Sequence, residues 1–169
     1  SLVGSEMCIR DSLHTFSQFS ILQSTVRINE LTQLANELEM PAVCITDYNN
    51  LMGSFHFLKS LENINKKNKL ENKKTLKPII GITLNVCEDH LDRSRRDDGY
   101  QIVFIAKNKK GYKNLSKLSS LAYTKGFYYV PRVDKNLVLN FKEDLIVLTG
   151  NTYGEVSSKL LNIGEKQAE

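Results

Sequence analysis

Apolar residues recur at helical spacing over 28–38, at Ile28, Leu31, Leu34, Ala35 and Leu38, which predicts an amphipathic helix capped by Ser24 or Thr25 and closed by Pro41. It leads into a continuous apolar run over 42–46 that ends at Asp47 and reads as a strand buried on both faces. A second helix is expected over 53–63, carrying Phe55, Phe57, Leu58 and Leu61, followed by a polar, lysine-rich insertion at about 63–77. Strand signals return at 78–82 and 84–87, and again at 101–106 beyond a charged loop over 88–99. Residues 111–123 place Tyr112, Leu115, Leu118 and Leu121 on one helical face and leave Lys113 and Lys117 to solvent. Further on come an aromatic loop or short strand at 127–131, a helix over 135–141 capped by Asp134, a strand at 145–148, and helices at 154–162 and from Gly164.

Strands alternating with helices at this spacing predict parallel βαβ units and an α/β class. The pattern leaves a doubly wound sheet and an incomplete barrel both open. In either architecture ligands gather at the carboxyl ends of the strands, here 14–16, 46–50, Thr83 and 149–151.

Composition narrows the picture modestly. The chain has 169 residues, 41% of them hydrophobic and 25% charged, and no apolar run long enough to span a membrane, so a soluble, cytoplasmic protein with no membrane partner is expected. Much of the net charge of +4 comes from the lysines at 66–77, for which a solvated face is a better account than phosphate contact. The three cysteines, Cys8, Cys44 and Cys87, have no metal-type spacing and read as reduced thiols. Residues 1–12 lack the length and apolar centre of a secretory signal, resemble translated read-through of a sequencing adapter, and are expected to be a non-native leader.

Hydrolysis by a metal cluster needs several imidazoles and carboxylates in one pocket, about four to six ligands per ion. There are three histidines, and His56 and His90 are expected to stand away from the strand ends. His14 and Asp47 are the two candidates at the right edge, each with an equally good structural role, Asp47 as a cap for the turn 48–50. Phe127, Tyr128 and Tyr129 could stack on bases but suit packing better, and Arg132 with Asp134 could form an ion pair. Glycine-rich phosphate loops are absent.

Several stretches carry a family resemblance. Residues 13–22 (LHTFSQFSIL) and 46–53 (TDYNNLMG) resemble the first two motifs of the PHP (polymerase and histidinol phosphatase) domain of bacterial DNA polymerase III alpha subunits. Residues 78–81, 106–115, 126–134 and 148–156 are similar to later stretches of that family, in the same order, so the resemblance covers 13–169. It implies a distorted β/α barrel of the PHP type, present as its N-terminal portion, within a longer chain that performs template-directed DNA synthesis. Magnesium would then act in a polymerase palm outside this sequence. The implied partners are DNA, a proofreading exonuclease subunit, a sliding clamp and a clamp loader.

The same resemblance implies a metal site, and this sequence departs from it. The family's paired histidines fall on Ser12 and His14, with a further one at Phe16; Asp47 matches, but the histidine after it is Tyr48. Thr83, Gln101 and Asn151 stand at the other ligand positions. His14 and Asp47 therefore remain as remnant metal positions, expected to be empty, with no catalytic or cofactor-binding residues. The region is expected to be a structural module that docks the exonuclease subunit. A residual metal-dependent 3′–5′ exonuclease or phosphoesterase is the alternative, and a free-standing phosphatase for a small phosphate ester a weaker one.

Overall fold

A computed structural model describes residues 13–162. The leader at 1–12, Cys8 and the helix expected from Gly164 lie outside them. The chain divides into two compact units, the first ending at Gly81 and the second beginning at Ile82.

The first unit contains α1 (Ile28–Glu37), β1 (Ala42–Ile45), α2 (Ser54–Leu70) and the start of β2 (Lys77–Cys87). β1 pairs in parallel with β2, Ala42 opposite Lys77 through Ile45 opposite Ile80. Its core joins Ile28, Ala35, Val43, Ile45, Phe57, Leu61 and Leu76, each large side chain contributing about 1.5–3 kcal/mol by leaving water. Within α1 the buried positions are Ile28, Thr32 and Ala35, whereas Leu34 and Leu38 face outward. Thr32 can occupy the core because its hydroxyl donates to the Ile28 carbonyl at 3.0 Å and meets Ser60 Oγ at 2.7 Å.

Three local expectations change here. α1 has no side-chain cap: Arg27 occupies the cap position, and Ser24 instead donates to the Phe16 carbonyl at 2.8 Å, pinning the preceding turn. α2 continues to Leu70, so half of the polar tract is helical. Its asparagines explain this. Asn65 both donates to the Leu76 carbonyl and accepts from the Leu76 N–H, while Asn68 donates to Asn36 and to the Lys74 carbonyl, so the turn at 71–76 is fastened to the helix by side chains that composition alone marks as loop-forming. Finally, β2 is one continuous strand, which puts Thr83 in its middle rather than at an end.

The second unit holds the rest of β2, then β3 (Tyr100–Ala106), α3 (Lys109–Thr124), β4 (Arg132–Asp134), α4 (Lys135–Asn140), β5 (Leu145–Leu148) and α5 (Glu155–Asn162). β2 pairs in parallel with β4, Asn85 opposite Arg132. β3 and β5 pair antiparallel, Val103 opposite Leu148, so the sheet is mixed rather than all-parallel. The physical reason lies at 88–99, which join the neighbouring strands β2 and β3 without the crossover helix that parallel neighbours require. Leu115, Leu118 and Ala122 of α3 are buried, as are Val103, Phe104 and Ile105 of β3. Asn108 caps α3, accepting from the N–H groups of Lys110 and Gly111, and Asp134 caps α4 as expected, accepting from Leu137 N–H at 2.7 Å.

Candidate functional site

The chain after the end of β1 is held against residues 14–20 by a set of polar contacts. Thr46 N–H donates to the Thr15 carbonyl at 2.8 Å, and Thr15 N–H donates to Thr46 Oγ1 at 3.1 Å. This places Asp47, only 2% exposed, beside Ser17 and Ser20. Oδ1 accepts from Ser17 N–H at 2.6 Å and from the Ser20 hydroxyl at 2.7 Å; Oδ2 accepts from the Ser17 hydroxyl at 2.7 Å. Ser20 Oγ in turn accepts from Tyr48 N–H at 3.0 Å, so one hydroxyl links the carboxylate to the next residue's backbone. Gly53 closes the site: a Cβ there would lie 2.8 Å from Asp47 Oδ2.

His14 sits in the same segment, half-buried, its ring edge-on to Phe16 at 5.0 Å, and burial lowers its pKa from the ordinary histidine value. Phe16 also meets Tyr48 at 6.4 Å. Residues 16 and 48, where the resemblance places histidines, therefore form a run of ring contacts that leads from His14 through Phe16 to Tyr48. The remaining positions have local roles. Thr83 is fully buried within β2, and Asn151 shapes a turn by accepting from Tyr153 N–H at 2.9 Å. Backbone Gln101 N–H donates to the Tyr153 carbonyl at 2.9 Å. His56 lies on α2, stacked on Phe19 at 5.6 Å.

A second group of ionisable side chains comes together without a signal in the sequence. The expected pair of Arg132 and Asp134 does not form. Instead the buried Arg132 guanidinium donates to the carbonyls of Gly126, Asp97, Asp92 and His90, at 2.9–3.4 Å, and lies 5.4 Å from the Tyr128 ring. Asp134 pairs with His90, Nδ1 to Oδ2 at 2.5 Å. Burial would raise the Asp134 pKa, but the Leu137 N–H and His90 outweigh it and hold the carboxyl below its ordinary range. So His90, expected away from the strand ends, stands beside the end of β4. Among the described residues, ligand-type atoms meet in a group of three at Asp89, His90 and Asp134, which lie within 4.8 Å of one another; neither His14 nor Asp47 belongs to such a group.

Both described cysteines are buried and unpaired, with burial pushing Cys44 up to about 12 and Cys87 up to about 11. No helix among the described residues is long and apolar enough to cross a membrane.

A family model for the PHP domain matches residues 12–169. The chain belongs to the PHP domain family. Its relatives include proteins named DNA polymerase III subunit alpha from Chlamydia trachomatis serovar D, 37% identical over 157 residues, and from Aquifex aeolicus, 38% identical over 167. Another is that of Treponema pallidum, 37% identical over 163 residues. These matches cover 90–93% of this chain but 12–13% of each relative. A solved structure from Bifidobacterium adolescentis, described as a metal-dependent phosphoesterase, superposes with a TM-score of 0.40 at 14% identity, covering 65% of this chain and 31% of that one. The expected class is the observed one: an α/β PHP domain with, among the described residues, five strands in a mixed sheet.

Proposed function

We propose that this PHP domain is a noncatalytic module of a replicative DNA polymerase of the DNA polymerase III alpha kind, which stabilises the polymerase and docks a separate proofreading exonuclease subunit. The relatives' names support the polymerase assignment. The observation that carries the noncatalytic reading is the state of Asp47. Its carboxylate accepts three protein hydrogen bonds, filling three of about four lone-pair positions. A cluster of two or three ions would need that carboxylate bridging or bound, with several imidazoles beside it, and the nearby positions offer Phe16 and Tyr48 instead. This donor set does not fit such a cluster.

In the polymerase the domain then acts through surface and stability rather than through bond cleavage. Phe127 and Tyr129 are 49% and 63% exposed, and Phe127 stacks on the equally accessible Tyr123 at 6.5 Å, giving the second unit an aromatic face suited to a protein partner.

The test is hydrolysis. The full-length protein, freed of partner subunits and supplied with Mn²⁺ or Zn²⁺, is given DNA with a mismatched 3′ end. No cleavage that depends on His14 or Asp47 is expected. Cleavage lost in both His14→Ala and Asp47→Asn contradicts the reading and favours a residual metal-dependent exonuclease.

A further inference from the structure

We infer that Asp89, His90 and Asp134 form a binding site for one divalent transition ion of the Zn²⁺ class. The site joins the loop after β2 to the last residue of β4 and shares no residue with the edge at His14 and Asp47. Three features support it.

The first is ligand chemistry. Imidazole nitrogen and carboxylate oxygen are both donors that Zn²⁺ accepts, and one imidazole with two carboxylates, all within 4.8 Å of one another, supplies three such donors and leaves a fourth position for water. Unlike an open acidic patch, two of the three are largely withdrawn from solvent, with His90 and Asp134 side chains 13% and 10% exposed. The water that would otherwise compete with an ion is thereby reduced.

The second is that the ligands are pre-oriented by groups outside the set. Arg132, 1% exposed, reaches the carbonyls of His90 at 3.4 Å and of Asp92 and Asp97 at 2.9 Å, which fixes the loop carrying Asp89 and His90. Leu137 N–H fixes Asp134 Oδ1 and Leu91 N–H fixes Asp89 Oδ1, so each carboxylate keeps one oxygen turned to other work. Such outer supports set metal affinity, often by about 10- to 100-fold.

The third is spacing. His90 Nδ1 and Asp134 Oδ2 stand 2.5 Å apart with a proton between them. Tetrahedral bonds of about 2.0–2.2 Å would set the two atoms roughly 3.3 Å apart. An ion in the proton's place therefore asks for a movement under 1 Å, and it would tie the loop to a residue 44 positions away.

The test uses the full-length protein, stripped with a chelator and then titrated with Zn²⁺ while metal content and affinity are read. The wild type is expected to bind one equivalent that Asp89→Ala and His90→Gln lose or hold more than about tenfold more weakly. Asp89 is exposed, so its alanine variant keeps the fold and the test stands even if His90→Gln does not. His14→Ala is expected to retain the equivalent. Zinc content unchanged by Asp89→Ala overturns the inference. So does an equivalent lost on His14→Ala, which would also count against the noncatalytic reading; loss on Asp89→Ala alone leaves that reading intact.

Discussion

Ser17 grips Asp47 twice, through its backbone N–H to Oδ1 at 2.6 Å and through its hydroxyl to Oδ2 at 2.7 Å. The residue that the family resemblance marks as a metal ligand is thus the anchor of the loop at 15–20.

Removing the second contact is the direct probe of that role. Ser17→Ala is expected to cost about 1.5–3 kcal/mol, the range for a hydrogen bond to a buried charge. Asp47→Ala should cost more, since it strands the Ser17 N–H and two hydroxyls. Urea unfolding checks this: the midpoint should fall with the slope unchanged.

Arg132 should be more sensitive still. Its planar fork reaches four carbonyls in different directions, so Arg132→Lys, a point charge on a flexible stem, cannot replace it. Both Arg132→Lys and Arg132→Leu are expected to destabilise by at least about 3 kcal/mol. Amide exchange should show protection lost first in the loop at 88–99.

These two centres also show what the sequence could and could not convey. The strand at 42–45 and the helix at 28–37 were readable, because a continuous apolar run and a 3.6-residue period are local signals. So was Asp134 as a cap, from its place ahead of a short apolar stretch. The length of α2 was not, because it depends on Asn65 and Asn68 bonding to a turn that exists only once the chain has folded back. His90 and Asp134 meet across 44 residues through the pairing of β2 with β4, and nothing near either residue announces it. Asp47 stands out at the end of an apolar run, whereas its partners Ser17 and Ser20 have the look of ordinary loop residues.

Cys44 and Cys87 should be inert in the folded protein. With thiol values pushed up to about 12 and about 11, almost no thiolate exists at pH 8. An aromatic disulfide reagent is expected to leave both unmodified in buffer and to titrate both in denaturant. Rapid reaction of either one without denaturant would contradict their burial.

Glu155 should make stability fall in acid. Burial alone would raise its pKa, but Lys135 and Lys159, each 2.7 Å away, bring it below the ordinary value. As pH falls, the unfolded chain therefore takes up the proton first, at about pH 4.3. The contribution is complete above that pH and is lost as pH falls through the lower folded value. The stability gap between wild type and Glu155→Gln is expected to hold from pH 8 to 5.5 and to narrow below pH 4.5.

The most direct test of the noncatalytic reading is the metal bound at the Asp47 edge. Full-length protein, purified without chelator, is compared with His14→Ala and Asp47→Asn by elemental analysis for zinc, manganese and iron. Identical metal content in all three is the predicted result, since Asp47 is already engaged by Ser17 and Ser20. One or more equivalents present in the wild type and missing from both variants would contradict it.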